Sequence, residues 1–115
     1  MIIRKENQPC LIKEGVQGGA GQAHFRYFLE EKDAYGSGRL FAVITLRPGE
    51  SIGPHSHQGE FELYYILKGE AQVSDNGQPF TLYPGDMMQC RDGDSHSVEN
   101  RGQEDLEFLA VILHT

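Results

Sequence analysis

Residues 49–69 read GESIGPHSHQGEFELYYILKG, with a glycine at each end and a histidine pair near the middle. The second half, Glu62 to Leu67, is aromatic and aliphatic without helical spacing and stops at Lys68-Gly69, which predicts a β-strand. His55 and His57 stand two residues apart, so on a strand both imidazoles face the same way, about 6 to 7 Å apart along the chain. Glu62 follows His57 by five residues, an odd interval that would put it on the opposite face of an unbroken strand. A break is required. Gln58-Gly59 supplies it, because glycine tolerates the turn or bulge that resets the register and returns the next strand beside the first. Glu62 can then join the two histidines.

Outward from this stretch, the chain is punctuated at short intervals by 14 Gly and 5 Pro. No segment sustains helical apolar spacing, and the pattern predicts an all-β sandwich or barrel. On the N-terminal side, His24 to Leu29 alternates, and Leu40 to Leu46 is β-branched and aromatic before the Arg47-Pro48-Gly49 turn. On the C-terminal side, residues 70–74 pair with 78–83 across Asp75-Asn76-Gly77, where Asn-Gly favours a type I′ hairpin. Pro84-Gly85 leads into Asp86 to Cys90, and Leu106 to Leu113 closes the chain. Residues 1–22 read as irregular, with Gly18-Gly19-Ala20-Gly21 as a flexible connection. The expectation is one domain over 1–115, with the barrel spanning about 23–113.

Composition narrows the function. The chain has 115 residues, 10 Lys+Arg and 17 Asp+Glu, and a formal net charge of −7. No basic stripe exists for phosphate neutralisation, so no nucleic-acid partner is expected. The N-terminus reaches charge within four residues and develops no signal-peptide core. Leu63 to Leu67 and Phe108 to Leu113 are far shorter than the roughly 20 residues of a membrane span. No membrane partner and a soluble, cytoplasmic protein follow as expectations. Cys10 and Cys90, in no metal-binding or redox spacing, read as free thiols of a reducing compartment.

His96, after the Asp92-Gly93-Asp94 turn, is positioned to descend from a separate hairpin onto His55, His57 and Glu62. Three neutral imidazoles and one carboxylate suit one divalent ion, Mn, Fe, Ni or Zn, and offer no thiolate to favour a soft metal. His24, beside Arg26, and His114, next to the end of the sequence, read as ordinary polar residues. Tyr64 and Ile66 share the parity of Glu62 and should point inward. Met87 and Met88 read as packing residues.

These motifs resemble those of the cupin superfamily. Gly49-x5-His55-x-His57-x4-Glu62-x6-Gly69 is similar to the first cupin motif at every fixed position. Gly85-x5-Arg91-x-Gly93-x2-His96-x3-Asn100 is similar to the second, with Arg91 where proline is usual. The short stretch between them resembles that of small single-domain cupins. The resemblance implies a double-stranded β-helix, or jelly-roll, barrel, with His55, His57, Glu62 and His96 as metal ligands. It also implies turn-forming roles for Gly49, Gly69, Gly85 and Gly93 and a structural Asn100. Arg91 would put a cation near the approach to the site.

The superfamily houses many reactions on one scaffold, so fold does not settle activity. The first expectation is a metal-dependent enzyme of dioxygenase, decarboxylase or isomerase type acting on a small, oxygen-rich, anionic molecule. The alternative is a non-catalytic module that binds or senses a small ligand around a structural metal. The strands Leu63–Leu67 and Phe108–Leu113, apolar on successive residues, want cover on both faces from a partner or from the N-terminal segment, and a homodimer is the expectation.

Overall fold

Buried and exposed residues alternate along most strands, so each strand offers one apolar face, and two such faces pack together. The computed structural model describes residues 1–115. Its strands are β1 (Cys10–Glu14), β2 (Gln22–Tyr27), β3 (Gly38–Leu46), β4 (Ser51–Ser56), β5 (Glu60–Lys68), β6 (Ala71–Asp75), β7 (Gln78–Leu82), β8 (Met87–Cys90), β9 (Ser95–Glu99) and β10 (Leu106–His114). They form a six-stranded sheet, β1-β2-β3-β10-β5-β8, and a four-stranded sheet, β4-β9-β6-β7. Every pairing is antiparallel. The fold is the all-β jelly-roll barrel that the sequence predicts.

The core lies between the sheets. Phe25, Ile44, Tyr64, Ile66 and Phe108 from the larger sheet meet Ile52, Val73 and Val98 from the smaller. Full burial of side chains of this kind contributes about 1.5–3 kcal/mol each. The β6–β7 hairpin has the predicted turn: Asn76 and Gly77 take φ of 50° and 87°, both positive, as a type I′ turn demands. Asn100 is fully buried, donates its amide to the carbonyls of Leu46 (2.8 Å) and Glu104 (2.9 Å), and accepts from the Gly102 amide (2.9 Å). It ties the β3 end to the β9–β10 connection.

The N-terminal segment differs from the irregular reading. Residues 10–14 form edge strand β1, registered on β2 from Cys10↔Arg26 to Glu14↔Gln22. None of its residues is buried, so no apolar alternation announces it in the sequence. Main-chain pairing orders it instead. The glycine run is likewise held in place. A Cβ on Gly19 would strike the Ser51 carbonyl, and one on Gly53 would strike the Gln17 carbonyl. Absence of side chains there lets the 3-10 turn at Val16–Gly18 lie against β4. The Ala20 amide also donates to Ser51 Oγ (2.8 Å) and the Gln22 amide to Glu50 Oε2 (2.7 Å).

Candidate metal centre

β4 and β9 lie side by side with His55 registered opposite His96. Ile52 and His55 both line the interior although they are three residues apart. The β4 register shifts between them, at Gly53-Pro54, and this bulge restores the parity that three-residue spacing would otherwise break. β4 ends at Ser56, and Gly59 takes a φ of 72° in the turn that follows. That turn carries His57 and starts β5, so Glu62 arrives from the opposite sheet. The break expected at Gln58-Gly59 is where the chain reverses.

His55, His57, Glu62 and His96 converge, their ligand atoms all within 4.8 Å of one another. Glu62 Oε1 lies 3.0 Å from His57 Nε2 and 2.9 Å from His96 Nε2. The imidazole Nε2 atoms of His57 and His55 lie 3.2 and 3.1 Å from that of His96. Glu62 and His57 are each 3% exposed and His96 2%. His24 and His114 stand outside the cluster.

The outer ring nitrogens fix how the imidazoles present themselves. His55 Nδ1 donates to the Gly53 carbonyl at 2.7 Å, and His57 Nδ1 donates to Glu60 Oε2 at 2.6 Å. With their protons committed outward, both rings aim Nε2 lone pairs inward. Electron-pair donors crowded at about 3 Å, shielded from water, repel unless a cation stands among them. The donor set therefore fits a divalent metal ion, and the buried carboxylate supplies matching charge.

The electrostatics point the same way. Burial alone would push the Glu62 carboxyl up, but in the metal-free protein the surrounding imidazoles of His55, His57 and His96, when protonated at Nε2, outweigh it and hold the group well below the usual carboxylate range. Hydrogen bonding to Glu62 raises His57 above its ordinary value against the opposing effect of burial. Glu60 is lowered to about 2, first by hydrogen bonds from Arg39, then by His57. Arg39 grips it through Nε (2.8 Å) and Nη2 (2.7 Å). Arg39–Glu60–His57 is thus a continuous chain behind the edge of His57 that faces the cluster. Sequence reasoning missed it, although Glu60 shares the strand parity of Glu62.

A cavity of about 130 Å³ opens onto the cluster, lined on that side by His55, His57, Glu62 and Tyr64 and elsewhere by Phe25, Ile44 and Ile52. Tyr64 is fully buried, stacks on His96 at 4.8 Å between ring centroids, and is kept protonated well above its ordinary value by burial and the Glu62 charge. Arg91 is exposed on the β8–β9 turn and does not line the cavity. The cations there are Lys13 and Arg39. Cys90, buried on β8 opposite Glu62, has its thiol pushed up to about 12 chiefly by burial. It is an inert packing group.

Known proteins resemble this chain over its whole length. An oxalate-binding protein from Thermotoga maritima is 46% identical over 113 residues, covering 98% of this chain and 93% of its relative. The crystal structure of a predicted oxalate decarboxylase from the same organism superposes with a TM-score of 0.95 at 41% identity, covering 100% of both chains. A much longer relative, a mannose-1-phosphate guanylyltransferase from Klebsiella pneumoniae, is 35% identical over 59% of this chain but only 14% of its own length. The cupin domain family matches residues 42–112, from β3 through β10 and across all four clustered residues. With the barrel and both motifs in place, the chain belongs to the cupin family.

Proposed function

We propose that this protein is a single-domain, metal-dependent cupin that binds a small bidentate anion of the oxalate type and acts on it by decarboxylase, dioxygenase or isomerase chemistry. His55, His57, Glu62 and His96 are the proposed ligands of one Mn, Fe, Ni or Zn ion. The observation that carries the reading is the buried cluster at the wall of a 130 Å³ cavity that also holds cationic side chains. The likeness to an oxalate-binding protein supports the choice of anion.

A bound divalent ion supplies Lewis-acid polarisation of a coordinated oxygen, or oxygen activation if it is iron. The chain does the rest. Four protein donors on an ion that prefers six leave positions for a chelating anion. Phe25, Ile44 and Ile52 keep the neighbouring space apolar. The cavity is smaller than the ~300–1,000 Å³ pockets of drug-sized ligands, which selects molecules of a few heavy atoms.

A second reading, capture without turnover, rests on the cavity's lining. Its one carboxylate is Glu62, and nearby Glu60 is bound to Arg39 and His57. Proton transfer would then fall to Tyr64, Lys13 or water. Metal analysis of protein purified without chelating resin, followed by water-proton relaxation of the Mn(II) form, tests the binding common to both. Oxalate should lower the relaxation enhancement, and a neutral diol should not. No response to any bidentate anion would defeat the anion reading. Product analysis under saturating oxalate separates turnover from capture.

We also propose a cytoplasmic homodimer. No helix is long and apolar enough to cross a membrane. The outer face of the six-stranded sheet keeps Tyr65, Leu67 and Met87 each 44% or more exposed, beside half-buried Leu63, Leu109 and Val111. β1 extends this sheet at its edge and leaves the face open. A 12.9 kDa species in sedimentation at micromolar concentration would count against the dimer.

A further inference from the structure

Two cations line the cavity, and they are not equivalent. Both Arg39 nitrogens named above are engaged by Glu60 at 2.7 and 2.8 Å, so its charge is matched. Lys13 forms no ion pair. Its Nζ rests 4.7 Å above the ring of Phe25, itself buried and part of the cavity lining. This contact steadies an ammonium without neutralising it.

The segment that presents Lys13 is fixed. Lys13 registers against Ala23 on β2. The chain then passes through Gly15 into Val16 and Gln17, which also line the cavity. The Gln17 carbonyl sits so close to Gly53 that no side chain fits between them. Gly53 in turn accepts the Nδ1 proton of His55 at 2.7 Å. The N-terminal segment is therefore one wall of the site, packed against the strand that orients His55 at Ser51 and Gly53.

We propose that Lys13 is the specificity-determining residue that reads the second negative charge of a dicarboxylate bound at the metal. The inference rests on the cavity being an anion site, as proposed above. A divalent ion offset by the Glu62 carboxylate keeps a formal charge of about +1. Lys13 adds one more, while Arg39 and Glu60 cancel. The total of about +2 matches a dianion, and a monoanion would leave the ammonium without a counter-charge. In so small a cavity the second carboxylate belongs to a short molecule, such as oxalate or malonate.

Calorimetric titration of the Mn(II)-loaded full chain tests this with oxalate, malonate and the monoanion glycolate as probes. Lys13 is exposed, so its variants should fold, which thermal denaturation verifies. Lys13→Met should weaken oxalate about tenfold, the effect of a partly screened charge pair, and glycolate by less than about twofold. Lys13→Arg should restore most of the preference for oxalate. An unchanged oxalate-to-glycolate ratio in Lys13→Met would overturn the role of Lys13 while leaving the anion site intact. Failure of the unsubstituted protein to bind any of the three anions would overturn the anion reading and this inference with it.

Discussion

His57 donates its Nδ1 proton to Glu60 at 2.6 Å, so the imidazole facing the cluster is oriented by a carboxylate that Arg39 holds in place from behind. His55 has only a backbone carbonyl in the corresponding position. A carboxylate partner makes an imidazole a stronger donor and fixes its tautomer. Glu60→Gln should therefore lower metal affinity by about 10–100-fold while leaving stoichiometry at one ion, as read by competition with a chelator. Unaltered affinity would mean that the His57–Glu60 contact does nothing for the metal.

The proposed ligands separate cleanly from the other histidines. His57→Ala removes a buried donor at the centre of the cluster and should abolish stoichiometric metal binding. His114→Ala, at a residue outside the cluster, should leave it intact. Equal metal content in the two purified variants would refute the assignment of His57.

The four clustered residues were legible because their signals are local. His-x-His parity, the glycine that reverses the chain at 58–59 and the turn before His96 are each contained in a few residues. The bulge at Gly53-Pro54 was not foreseen, since it is defined by pairing with β9 rather than by any local periodicity. β1 was missed for a related reason: with every residue accessible, it has no buried face to print a pattern. Arg39 and Glu60 lie 21 residues apart, and only the pairing of β3 and β5 with β10 brings them together. Lys13 carries no sequence signal at all. Its place follows from the edge strand and the apolar ring beneath it.

Asn100 makes a structural prediction within the second motif. Three hydrogen bonds of 2.8–2.9 Å satisfy its buried amide. Asn100→Ala would strand the Leu46 carbonyl in the interior and should destabilise the fold by about 1–3 kcal/mol. Denaturant unfolding of the metal-free protein measures this directly. A change below about 0.5 kcal/mol, the range of ordinary surface substitutions, would rule out the tie as a stabilising feature.

Protons and metal ions should compete for the same centre, so their contributions to stability should have opposite pH dependences. Glu60, lowered to about 2 from an ordinary 4.5, contributes stability that is present above the higher value and lost as pH falls through the lower. His57, raised above its ordinary 6.5, works the other way. Its contribution is complete below 6.5 and disappears as pH rises through the raised folded value. Metal-free protein should accordingly be most stable at about pH 5–6 and lose melting temperature as pH rises toward 8. Metal binding requires the imidazoles to be neutral, so the rise in melting temperature on adding Mn(II) should grow over that same interval and shrink on acidification. Thermal denaturation in EDTA and in excess Mn(II), across pH 5–8, reads both trends in one series. A metal-free melting temperature that is flat from pH 6 to 8 would remove His57 as the source of the first trend, and a pH-independent Mn(II) increment would argue against imidazole ligation.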